Sequence, residues 1–153
     1  MSLQECRNQF SHLLAPLSLS REAEQWLLDM WEAFQGLDDW RDGDQNENKD
    51  IERVIYLTLV QMPSNPFFQA HANRLLPVLS NVVLKWTAAN VMEDAKHEEQ
   101  LPKAYMWRAG FYDLILEVVN VSHGFNFAQS AAPYILALYG ETYEEYKKEF
   151  ING

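Results

Sequence analysis

Apolar residues recur at intervals of three and four along nearly the whole chain, and that period belongs to amphipathic helices. Leu3, Cys6, Phe10 and Leu13 mark a first helix that Pro16 ends. Ser20 can cap a second, with Ala23, Trp26, Leu27, Met30, Phe34 and Leu37 on one side and Gly36 as a stop signal. Asp50 can cap a third over residues 51–62; its "VIYLTLV" is β-branched enough for a strand, but a lone strand would have no partner. Asn65 caps a fourth with Pro66 in its first position; this helix bends near Pro77 and runs on through residue 99. Pro102 opens a fifth that ends at His123 and Gly124. Asn126 caps a sixth, with Pro133 inside it and Gly140 after it. Thr142 with Glu145 forms a capping box at the start of a terminal helix carrying Tyr143, Tyr146 and Phe150. The pattern predicts an all-α, single-domain bundle over residues 1–153, built from six or seven irregular, proline-bent helices, with an acidic polar loop at residues 42–50.

A chain of 153 residues with 48% hydrophobic residues can hide roughly 70% of its extended-chain surface in one core, so neither disulfides nor metal are needed for stability. The formal charge of −10 and the lack of a basic run argue against nucleic acid as a partner. The polar start "MSLQECRNQFSHLL" does not resemble a signal peptide, and no uninterrupted apolar run approaches the roughly 20 residues that span a bilayer. These features predict a soluble, cytoplasmic protein with no membrane partner. Cys6, the one cysteine, cannot close an internal disulfide, and its helical spacing predicts a buried thiol.

The segment "FQGLDDWRDGDQNENKD" concentrates charge. From residue 38 to 52 seven carboxylates face Arg41 and Lys49, a local charge of −5 and half of the chain's net charge. Water can screen such a run, and a divalent cation, magnesium or calcium, can neutralise it. From Asp42, oxygen-bearing side chains fall at positions one, three, five, seven and nine of a calcium loop: Asp42, Asp44, Asn46, Asn48 and Asp50. An EF-hand would need glycine where Glu47 stands and a closing glutamate where Arg53 stands. The run "DDWRD", residues 38–42, resembles the DDxxD motif of isoprenyl diphosphate synthases and related class I terpenoid synthases, whose aspartates hold magnesium against a diphosphate. The resemblance implies Asp38, Asp39 and Asp42 as metal ligands, with Asn90, Asp94 and Glu98, four residues apart, as a second ligand group. It covers two short motifs. Helical pyrophosphohydrolases use acidic pairs at i and i+3; Asp29 with Glu32 and Asp39 with Asp42 have that spacing, although on one helix both pairs lie opposite the apolar side and face solvent.

Two further places mix polar with apolar residues. The stripe Leu79, Val82, Val83 and Trp86 is followed on its own face by Asn90, Glu93 and His97, so either the buried side rotates or a polar inlay points inward. Asp94 and His97 have the spacing of a di-iron ligand pair, which would need a second such pair and two more glutamates. Arg108 shares a face with Ala104, Phe111, Tyr112, Ile115 and Val119. A guanidinium among aromatics needs a carboxylate, here Glu93 or Asp94, or else binds an anion. Trp31 and Trp40 lie off the main apolar stripe and could contact a partner.

No Ser or Cys nucleophile has a base at readable spacing, and no phosphate-binding glycine loop or zinc cysteine set is present. The expectation is therefore an acidic interaction or structural protein that binds a protein partner or itself. The alternative is a magnesium-dependent phosphate or diphosphate enzyme, with Asp38, Asp39, Asp42, Asn90, Asp94 and Glu98 on metal and Arg108 on the phosphate.

Overall fold

The computed structural model describes residues 2–43 and 48–151. They form an all-α fold: α1 (Leu3–Leu14), a 3₁₀ turn (Ala15–Leu17), α2 (Arg21–Asp42), α3 (Asn48–Tyr56), a π turn (Leu57–Gln61), α4 (Met62–Ser64), α5 (Pro66–Ala95), α6 (Leu101–Arg108), α7 (Phe111–His123), α8 (Phe125–Ala137) and α9 (Tyr143–Ile151). Two compact units stand out, residues 1–72 and residues 73–153.

Several helix ends follow local chemistry. Ser20 Oγ accepts from the Ala23 amide at 3.2 Å and Asn65 Oδ1 from the Phe68 amide at 3.1 Å, each satisfying an orphan donor of a first turn. Thr142 and Glu145 form both bonds of the capping box, at 3.0 and 3.2 Å.

Other ends differ from the sequence reading. Helix α2 does not stop at Gly36. It runs six residues further to Asp42 and ends on Gly43, whose φ of 76° is the left-handed cap that glycine adopts without strain. Helix α3 starts at Asn48, so Asp50 lies inside it rather than capping it. The acidic stretch 42–50 is therefore loop for only part of its length: Asp42 closes α2, residues 48–50 open α3, and Asp44, Asn46 and Glu47 fall outside the described residues. The break in α5 comes at His71 (φ −128°, ψ 17°), not at Pro77. Helix α5 ends at Ala95, where Lys96 turns left-handed at φ 55°. The helix expected from Pro102 to His123 is two helices, parted at Ala109 and Gly110. Asn126 sits in the first turn of α8, behind Gly124 as its cap. Against the sequence reading, α5 at 30 residues is long and apolar enough to cross a bilayer by length and composition alone.

In unit 1, α1 and α2 close over Phe10, Leu14, Leu17, Trp26, Leu27, Met30 and Ala33, with Leu57 and Phe68 completing the core. Phe10 stacks on Trp31 at 5.2 Å and Trp26 on Phe68 at 5.7 Å. Cys6 is half-buried rather than buried. Gly36 lets two helices touch: a Cβ there would lie 2.6 Å from Val54 Cγ2 of α3. In unit 2, α7 and α8 form an antiparallel pair around Leu114, Ile115, Val118, Val119, Ala128 and Ile135. Next to α6, Ala89, Leu101, Ala104 and Tyr146 make a second cluster edged by Met92, Tyr105, Tyr143 and Phe150.

Candidate functional site

The acidic residues nominated as metal ligands are divided between the two units. Asp38, Asp39 and Asp42 belong to the last turns of α2 in unit 1, and Asn90, Asp94 and Glu98 to unit 2. The last three share no helical face, because α5 ends at Ala95 and Glu98 lies in the turn beyond it, 3.8 Å from Lys147 Nζ. The same helix end removes His97 from the helix that carries Asp94. Asn90 is buried and occupied by Arg108, whose Nη2 donates to Asn90 Oδ1 at 2.6 Å. Among the described residues no three His, Cys, Asp or Glu side chains are grouped to hold a metal ion.

What the fold does bring together is a buried ion centre in each unit. In unit 2, Glu93 is buried on α5 and Arg108 reaches it from the last turn of α6. Arg108 Nε donates to Glu93 Oε2 at 2.9 Å, its Nη2 donates to Oε1, and the Tyr146 hydroxyl donates to Oε2 at 2.6 Å. Asn90 and Glu93 are therefore a true polar inlay in the apolar stripe of α5. Around them Tyr105 packs on Tyr139, Tyr143 and Tyr146 with centroids 5.1 to 5.5 Å apart. Burial, then the bond to Glu93 and its charge, push the Tyr146 hydroxyl above the ordinary tyrosine range; burial does the same for Tyr139 and Tyr112. The phenols stay neutral and act as donors.

The centre in unit 1 was hidden from the sequence. Asp29 and Glu32, expected to face solvent, are buried, because α1 covers that side of α2 and supplies Arg7. Arg7 Nη2 donates to Asp29 Oδ1 at 3.0 Å and its Nη1 to Glu32 Oε1 at 2.8 Å. Arg53, brought in by the close approach of α3 at Gly36, donates from Nη2 to Glu32 Oε1 at 3.0 Å and from Nε to Oε2. Gln25 Nε2 completes Asp29 at 2.9 Å. The available signal was the run "WLLDMWEA", apolar nearly all round the helix, which leaves its two acids little room to face water.

Two of the surfaces open to ligands or partners among the described residues bear on function. One is a polar cleft of about 570 Å³ above the ion centre of unit 1, between α1, α2 and the α3–π segment. The other is the outer face of α5 in unit 2. Leu76, Val83, Leu84 and Val91 are 48%, 42%, 61% and 67% exposed, at spacings that align them with Ser80 and Thr87. The charged residues Arg74 and Lys85 lie on the opposite side, paired with Glu117 (2.8 Å) and Asp113 (2.6 Å) of α7. The outer face thus carries no charge over some fifteen residues, roughly 23 Å of helix. Trp31 is spent on Phe10, whereas Trp40 is 59% exposed. No protein-family model, curated protein or solved structure matches the chain.

Proposed function

We infer that this acidic chain is a non-enzymatic interaction protein of the cytoplasm, and that its partner on the outer face of α5 is a second copy of itself. The observation that carries the reading is the row Leu76, Val83, Leu84 and Val91, exposed along a stretch of helix whose two cations, Arg74 and Lys85, are paired with α7 on the other side, and bounded by Asp94 one turn beyond Val91. A helix apolar on both faces ordinarily has neighbours on both, and contiguous exposed apolar surface on a soluble chain marks an interaction site. A second copy fits because the chain carries a net charge of −10: two such molecules repel wherever carboxylates meet, and this uncharged stripe is a place where they can touch without doing so. Ser80 and Thr87, small and central in the stripe, allow two helices to approach closely. A magnesium-dependent enzyme draws no support from the placement of its nominated ligands.

Sedimentation velocity over a concentration series tests this. Wild type should move from monomer to dimer, and added salt should strengthen the dimer by screening the net negative charge. Leu84→Lys with Val91→Lys should remain monomeric with unchanged helical circular dichroism, although it lowers the net charge. Monomeric wild type at the highest concentration, or a dimer that survives the double substitution, overturns the reading. So does a wild type that stays monomeric but pellets with neutral phosphatidylcholine vesicles, which would assign the stripe to lipid.

A further inference from the structure

The 570 Å³ cleft of unit 1 is lined by Arg7, Arg21 and Arg53, half of the six arginines in the chain. They stand against Glu24 and Asp29 in the lining and Glu32 beneath it, three arginines to three carboxylates in a protein of net charge −10. Nearly all of the remaining lining is polar as well, from Gln4, Asn8 and Ser11 on α1 to Tyr56 and Gln61 at the two ends of the π turn. Its size is that of a small-molecule site, but its walls suit a ligand far more polar than the usual occupant of such a pocket.

The donors divide into those used by the protein and those left over. Arg7 is spent on Asp29 and Glu32, and Ser11 donates to Glu24 at 3.1 Å. Arg53 uses Nε and Nη2 on Glu32, which leaves Nη1 without a partner among the described residues. Arg21 sits exposed in the first turn of α2 and makes no ion pair among the described residues. The π turn widens the helix between Tyr56 and Gln61, a distortion common at functional sites. Thr58 Oγ1 donates to the Val54 carbonyl at 2.8 Å and to that of Ile55 at 3.3 Å, occupying acceptors beside the distortion.

We propose that this cleft binds a small oxyanion, the phosphate or carboxylate group of a polar metabolite, held between Arg21 and Arg53 while the amides and the Tyr56 hydroxyl bind the ligand's body. Guanidinium forks match both oxyanions geometrically, and Arg7, Asp29 and Glu32 fix the floor on which Arg53 is oriented. The site belongs to unit 1 and the stripe of α5 to unit 2, and the two share no residue, so it is tested independently of self-association.

Calorimetric titration of the full chain with glycerol 3-phosphate, inorganic phosphate and succinate, each against sodium chloride at matched ionic strength, tests the proposal. At least one oxyanion should bind saturably, and the pattern among the three tells phosphate from carboxylate. Arg21→Glu and Arg53→Gln should each weaken that binding at least tenfold. Arg21 supports nothing else among the described residues, so its variant should melt like wild type without ligand, which separates lost binding from lost folding. Heats equal to those of sodium chloride, or saturable binding unchanged in both variants, overturn the proposal.

Discussion

Each unit buries carboxylate on a long helix and answers it with arginine from a neighbour, but the two centres are closed differently. In unit 2 one guanidinium meets one carboxylate, Asn90 takes a remaining donor, and the Tyr146 hydroxyl donates to the same Glu93 oxygen as Arg108 Nε. Both partners are nearly out of water, with the Arg108 side chain 16% exposed and that of Glu93 7%. In unit 1 two guanidiniums share Glu32, and they differ in burial: the Arg7 side chain is 11% exposed, that of Arg53 49%. The lesson is that similar chemistry serves two ends. A pair nearly out of water beside aromatic rings holds helices together, whereas a centre whose second arginine stands half in water keeps part of that guanidinium open to solvent.

The sharpest way to break this comparison is to remove the buried arginine from each centre. Arg108→Ala leaves Glu93 with Tyr146 alone in a low-dielectric site and should cost about 3 to 5 kcal/mol. Arg7→Ala should cost less, about 2 to 3 kcal/mol, because Glu32 keeps Arg53 and Asp29 keeps Gln25. Urea denaturation of both variants measures the gap. Equal losses would mean that Arg53 does not compensate and that the two centres are alike.

Next in size is the approach that carries Arg53 to Glu32. Gly36→Ala places a methyl 2.6 Å from Val54 Cγ2, and a β-branched side chain has little rotamer freedom with which to yield. Overpacking of about 1 to 3 kcal/mol outweighs the gain of up to about 1 kcal/mol in helix propensity. The variant should melt lower than wild type. A rise in melting temperature would show that α3 can shift without penalty, and the geometry that orients Arg53 would then be loose.

The smallest effect concerns the edge of the sealed centre. Partial burial, then the charges of Glu149 and Glu145, push the Glu141 carboxyl above its ordinary value. A raised pKa favours the protonated group in the folded state, so its contribution to stability is present below the ordinary range near pH 4.3 and is lost as pH rises through the raised value. At neutral pH the charged carboxylate is therefore unfavourable. Glu141→Gln should stabilise there by no more than about 0.5 kcal/mol, since the site is partly solvated. Thermal melts at pH 7 and pH 4 should show the advantage shrinking with acid; an advantage that grows with acid would reverse the assigned sign.

The helical class of this chain was legible because period and caps are local. The period-three-and-four pattern, Ser20, Asn65 with Pro66, and the Thr142–Glu145 box each act within a few residues, and each reappears in the structure as a helix or a capping hydrogen bond. Where the sequence misled, the competing signal was tertiary. Gly36 reads as a stop but is a contact point, because Val54 arrives from another helix. Asp29 and Glu32 read as solvated from their spacing; the apolar run around them hints at burial, but only the tertiary structure shows that α1 covers them and brings Arg7. Asn90, Asp94 and Glu98 read as one face until Lys96 turns left-handed, ends α5 and scatters them.

By itself the sequence determined the all-α class, the acidic net charge and the need of Arg108 for a counter-charge, since helical periodicity, formal charge and the cost of desolvating a cation do not depend on which helices meet. Only the tertiary structure decided which carboxylates are buried, which arginines answer them, and which face of α5 is left without a neighbour. Those facts depend on contacts between residues far apart in the chain, such as Arg7 with Glu32 and Glu93 with Tyr146, and the spacing along one helix carries no information about what another helix will place against it.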